Sequence, residues 1–135
     1  MTAQVAVDAE KLVVDWLRTV DEVTDIFDAR IYTEVPARDV EWPLLRVIRI
    51  GGAPTTRLAR LDSPLMQLDV WGGPKATARL GLATALAHMA TEMPGAHDLG
   101  VVTAVEVGGP QWLPDTEFTP ARPRYSADVR LWTHP

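Results

Sequence analysis

Met66-Gln67-Leu68-Asp69-Val70-Trp71 alternates apolar and polar residues, then runs through Gly72-Gly73-Pro74 into an Ala- and Leu-rich stretch. Alternation sends Met66, Leu68 and Val70 to one face of a strand and Gln67, Asp69 and Trp71 to the other. Pro74 suits the first turn of a helix, which the pattern predicts to run to about Glu92, with Pro94-Gly95 ending it. Ala76, Leu80, Ala83, Leu86, Ala87 and Ala90 form the stripe expected to lie on the sheet. Upstream, Val5, Ala9, Leu12, Val13, Trp16, Leu17 and Val20 trace one face of an amphipathic helix capped by Thr2. A helical turn is expected around Asp21 to Phe27, and a brief strand at Arg30-Ile31-Tyr32.

Leu44 to Ile50 is β-branched and mostly apolar, so it reads as a central strand stopped by Gly51-Gly52. Ala53 to Pro64 is too long for a tight turn and is read as a loop, either a plain connection or a projecting binding segment. Val101 to Val107 predicts a third strand, and Gln111 to Pro123, with Pro114, Pro120 and Pro123, an irregular excursion. Tyr125, Ala127, Val129 and Leu131 alternate with Arg124, Ser126, Asp128, Arg130 and Trp132 in a final strand. The sum is a single α+β domain over 1–135: an antiparallel sheet of about four main strands with two long helices packed on one face.

A chain of 135 residues buries about two thirds of its unfolded surface and needs no staples. It has no cysteine, which excludes disulfides and thiolate chemistry. No apolar run approaches the roughly 20 residues of a membrane helix, and the N-terminus lacks a basic signal-peptide start, so no membrane partner is expected. Ten acids against four bases precede Pro43, while the remainder is near neutral, giving a net charge of −5. That balance disfavours nucleic-acid binding, which rests on Lys and Arg at phosphates.

Candidate chemistry is sparse. His88, His97 and His134 lack metal-ligand spacing. Ser63 precedes Pro64 outside any nucleophile elbow. Asp69 and Asp128 lie mid-strand, where arginines can answer them across the ladder. Gly51-Gly52 and Gly72-Gly73 lack the context of phosphate loops. No catalytic, metal or cofactor site is expected. Tryptophan is the unusual residue, with Trp71 and Trp132 on the polar sides of their strands and Trp112 in the proline-rich segment. Each is either covered by its own fold or placed against a partner.

One ordered set of motifs spans the chain: Ile31-Tyr32-x-x-Val35-Pro36, Trp42-Pro43-Leu44 opening a strand that closes at Gly51, a long loop with a serine, and Gln67-Leu68-Asp69-Val70-Trp71 before an Ala-rich helix. Gly109-Pro110, Leu113-Pro114-Asp115 and Pro123-Arg124-Tyr125 follow. In this order the chain resembles the tail terminator (tail completion) proteins of long-tailed bacteriophages, departing at Trp42 and in its longer acidic N-terminal half. The resemblance implies a non-enzymatic virion protein without cofactors, assembled in the host cytoplasm. It also implies a ring, typically of six copies, at the head-proximal end of the tail. Its partners would be itself, the major tail tube protein and a head-side connector or stopper. Exposure logic nominates Thr56, Arg57, Leu58, Arg60 and Leu61 in the loop, and Arg124, Asp128, Arg130 and Trp132 on the last strand, as interface residues. Another neck component is the alternative, and a small ligand-binding or enzymatic domain with an apolar pocket is a further one.

Overall fold

The computed structural model describes residues 5–56 and 61–135. Its sheet has nine strands and mixed pairing, and curls into a half-barrel. The expected four-stranded antiparallel sheet under two long helices is therefore corrected. The strands are β1 (Ile31–Tyr32), β2 (Leu44–Gly51), β3 (Pro54–Thr56), β4 (Leu61–Asp62), β5 (Leu65–Trp71), β6 (Gly95–His97), β7 (Gly100–Val107), β8 (Gln111–Trp112) and β9 (Arg124–His134). Of the five strands beyond the main four, β1 is the brief strand expected at Arg30-Ile31-Tyr32, while β3, β4, β6 and β8 have two or three residues each, too few for alternation to reveal them. β1 runs parallel to β2. Ala53 to Pro64 is not one irregular loop, because β3 and β4 pair as a hairpin and β4 joins β9 at Asp62↔Thr133.

β9 is the hub of the sheet. One edge pairs with β5 from Arg124 to Arg130, and the other pairs first with β8 and then with β7. With β2 on the far side of β5 and β1 beyond it, β1 and β8 stand at opposite ends of the sheet.

Among the described residues there are three helices, of 9, 7 and 18 residues, where two long helices and a helical turn at Asp21 to Phe27 were expected: α1 (Ala9–Leu17), α2 (Asp21–Phe27) and α3 (Lys75–Glu92). α1 begins later than its apolar stripe suggested, because Asp8 supplies the cap by accepting from the Lys11 amide at 3.1 Å. Val5, the first residue of that stripe, is exposed. The helices cover one sheet face, where Leu45, Val47, Met66, Leu68, Val70, Ala127, Val129 and Leu131 join Leu12, Leu17, Leu82 and Met89 in one core.

α3 presents a different side from the one expected. It buries Ala78, Gly81, Leu82, Ala85, Leu86 and Met89, leaving Ala76, Leu80, Ala87 and Ala90 exposed. Alanine and leucine occur all around this helix, so periodicity alone does not choose a face. Phe27 does. It is fully buried at the end of α2, and a Cβ on Gly81 would stand 2.6 Å from its ring. Gly81→Ala is thus expected to lower stability by about 1–2 kcal/mol in urea melts. Overpacking costs about 1–3 kcal/mol and exceeds the gain of about 1 kcal/mol from helix propensity. A more stable Gly81→Ala chain would mean that the ring slides away at no cost.

Candidate assembly interface

The sheet face without helices gathers the alternating polar residues of β2, β5 and β9. Register places Arg46 opposite Asp69, Asp69 opposite Ser126, and Gln67 opposite Asp128. The fully buried Asp69 accepts from Arg46 at 2.7 Å and from Gln67 Nε2 at 3.0 Å. Asp69 and Asp128 do lie on neighbouring strands, yet Asp69 is occupied by these partners while Asp128 is exposed. The arrangement is that of a cross-strand ion pair rather than a carboxylate dyad.

Trp71 lies on this face and is covered by the chain's own excursion after β8. Its indole donates to Asp115 Oδ2 at 2.7 Å, and the guanidinium groups of Arg46 and Arg124 sit 5.0 and 5.5 Å from its ring. Burial pushes the Asp115 carboxyl up, but hydrogen bonds from Trp71 and the Glu117 amide, with the charges of Arg124 and Arg46, outweigh it and leave the group below the usual range. Further along, Arg122 lies 4.0 Å over the Trp42 ring and 4.9 Å over that of Phe118, tying the excursion to the segment before β2. Sequence reading missed Asp115 and this cluster. The one available signal was a tryptophan on a polar strand face, which demands a cover.

Arg124, Asp128, Arg130 and Trp132 fall at alternate positions of β9 and share this face. They are not equally free. Arg124 Nε donates to the Leu113 carbonyl at 2.8 Å, and Arg130 reaches the Ser63 carbonyl at 3.3 Å. Asp128 is exposed, and Trp132 is half-buried opposite Ala104. Leu61 is half-buried in β4, opposite Thr56 of β3. Arg57, Leu58 and Arg60 lie outside the described residues.

The hairpin carrying Thr56 and Leu61 has a locked base. Arg49 forms a two-pronged pair with Asp62 at 2.7 and 2.8 Å, donates from Nε to Gly51, and its backbone N–H donates to Glu10 of α1 at 2.9 Å. The hydrogen bonds from Arg49 hold the Asp62 carboxyl below the usual range against the opposing effect of burial. Gly52 turns the chain at φ +88, where an added Cβ would lie 2.0 Å from the Ser63 carbonyl oxygen.

Between α2 and α3, His88 is held by Glu92 at 2.8 Å and Glu22 at 3.3 Å, which raises its pKa. The stabilisation from this clasp is complete below the ordinary histidine value of about 6.5 and is lost as pH climbs through the raised value. No described cluster of His, Asp and Glu is arranged to hold a metal ion. A cleft of about 420 Å³ opens between α1 and the segment after β1, lined by Asp8, Glu10, Asp15 and Glu34 with Lys11 and Arg18. No helix among the described residues is long and apolar enough to cross a membrane.

No protein-family model matches this chain, and no curated protein does so. Among solved structures it is similar to a chain from the virion of a native gene transfer agent particle, with a TM-score of 0.76 and 13% identity. The likeness covers 94% of this chain and 95% of that one, and at such identity it is a likeness of fold.

Proposed function

We propose that this chain is a non-catalytic structural protein of a phage-like virion, and that it forms a ring ending the tail tube and joining it to the head side. The whole-length fold likeness to a chain of a gene transfer agent virion carries this reading. The resemblance of the ordered motifs from Ile31 to Tyr125 to tail terminator proteins supports the finer reading of a terminator position and a ring of typically six copies. Such a role needs no reacting pocket. It needs one interface that closes on rotation and two different end surfaces, so that the tube is bound on one side and refused on the other.

Purified chain added to tail tubes is expected to appear as one ring at one tube end in electron micrographs and to halt further growth from that end. Binding to portal-side proteins alone would assign the chain to the connector side of the neck instead. Tubes that keep growing with the chain bound along their sides would overturn the terminator reading.

A further inference from the structure

If the ring reading holds, its subunits need two complementary patches on opposite sides of one chain. The sheet order supplies two such ends. At one end β8 presents Trp112 and Leu113, 43% and 49% exposed, in a chain whose other large apolar residues are mostly buried. Trp112 pairs with Tyr125, its ring 5.2 Å from the tyrosine ring, so it stands on the helix-covered side of the sheet. Lys75, the exposed first residue of α3, places its ammonium 4.4 Å over the Trp112 ring. On the helix side this end is an exposed aromatic with a cation over its ring, while Leu113, opposite Arg124, offers an apolar group on the other side of the same edge; exposed aromatics of this kind are enriched at interface cores.

At the other end lies the acidic cleft between α1 and the segment after β1. Its two bases are already engaged. Lys11 bonds Asp15 at 2.6 Å, and Arg18 donates to the Ile31 carbonyl at 2.6 Å. Four carboxylates, with Asp8 and Glu34 exposed, face these two cations, so the cleft is negative on balance. Three strands, β2, β5 and β9, separate β1 from β8, so at a spacing of about 4.8 Å the two ends stand roughly 19 Å apart. Facing away from each other at opposite ends, a patch and its complement are not both filled within one chain or by one head-to-tail partner. Each added copy leaves one unfilled half until rotation closes the circle.

We propose that neighbouring copies of this chain meet end to end along the sheet direction, the β8 end of one copy with Trp112, Leu113 and Lys75 seating against the acidic α1–β1 cleft of the next. This rests on the ring reading, and the occupant is a second copy because the charge that answers Lys75 is carried by the chain itself. β8 is a two-residue edge strand, so side chains rather than an extended backbone ladder make the contact.

The chain has no cysteine, so introduced cysteines report contacts cleanly. Gln111→Cys and Thr33→Cys alter exposed residues, one at each end, and remove neither the charges nor the apolar groups invoked. The full-length double variant, bound to tail tubes and treated with a short bis-maleimide, is expected to give a ladder of linked copies, while each single variant stays at one copy. Adding Lys75→Glu is expected to reduce the ladder about tenfold, and Glu34→Lys to restore it. Rings visible on tubes with no linkage in the double variant would overturn the assignment of ends and leave the ring intact. Linked copies in open chains, with no rings, would keep the contact and overturn the ring. Linkage in either single variant, or no restoration by Glu34→Lys, would replace the proposed contact with another.

Discussion

Leu68→Asp is expected to abolish folding. Leu68 is fully buried at the centre of β5, with Val47 of β2 and Ala127 of β9 as its neighbours across the ladder and the helix layer above it. A carboxylate there meets no partner among the core residues that surround it. An unpaired buried charge costs many kcal/mol, while a domain of this size has only about 5–15 kcal/mol of net stability. Leu68→Ala deletes the same contacts without adding charge, and is expected to lose about 2–5 kcal/mol yet remain folded. Circular dichroism and urea melts separate the two outcomes. A soluble Leu68→Asp chain with a native spectrum and melt would place Leu68 on the solvent side and reverse the faces of the whole sheet.

That strand was legible because β5 alternates from Met66 to Val70, with Met66, Leu68 and Val70 on the helix side and Gln67 and Asp69 on the other. β1 was legible as the brief strand at Arg30-Ile31-Tyr32, but the other elements of two or three residues were not, since alternation needs more positions than β4 or β8 possess. α3 was legible as a helix and illegible as a surface. Its composition makes two faces equally able to pack, and the choice is made by Phe27 fitting over Gly81, a contact between residues 54 positions apart that no local pattern encodes. The β9 face was legible as a set, with Arg124, Asp128, Arg130 and Trp132 at alternate positions. Which members are engaged internally was not, because Arg124 is taken up by Leu113 and Arg130 by Ser63. Asp62 gave no signal, because it stands in the two-residue β4 within a segment read as a loop, and its partner Arg49 was one of several strand arginines able to answer an acid across the ladder.

Asp62→Ala should cost about 2–4 kcal/mol at neutral pH, a large fraction of the total for one exchanged side chain. Removing one partner of a buried ion pair typically costs about 3–5 kcal/mol, and the partial exposure of Arg49 lowers the figure here. Asp62 itself is 5% exposed, and its loss leaves the Arg49 fork without its charged acceptor while β4 still pairs with Thr133. The effect depends on pH with a fixed sign. Because the folded state holds the Asp62 carboxyl below its ordinary value of about 3.9, the pair contributes fully above that value and its contribution disappears as pH falls through the lowered one. Wild-type and Asp62→Ala chains should therefore differ in urea melts at pH 7 and converge below about pH 4. Asp115, also lowered, remains in both chains and cancels from the comparison. A difference that stays constant down to acid would mean the carboxylate charge is immaterial and that Asp62 acts only through its shape. Convergence would identify Arg49–Asp62 as the lock on the β3–β4 hairpin. Gly52→Ala, whose Cβ would meet a backbone carbonyl oxygen in the same turn, should then mimic the loss at pH 7 without sharing its acid dependence.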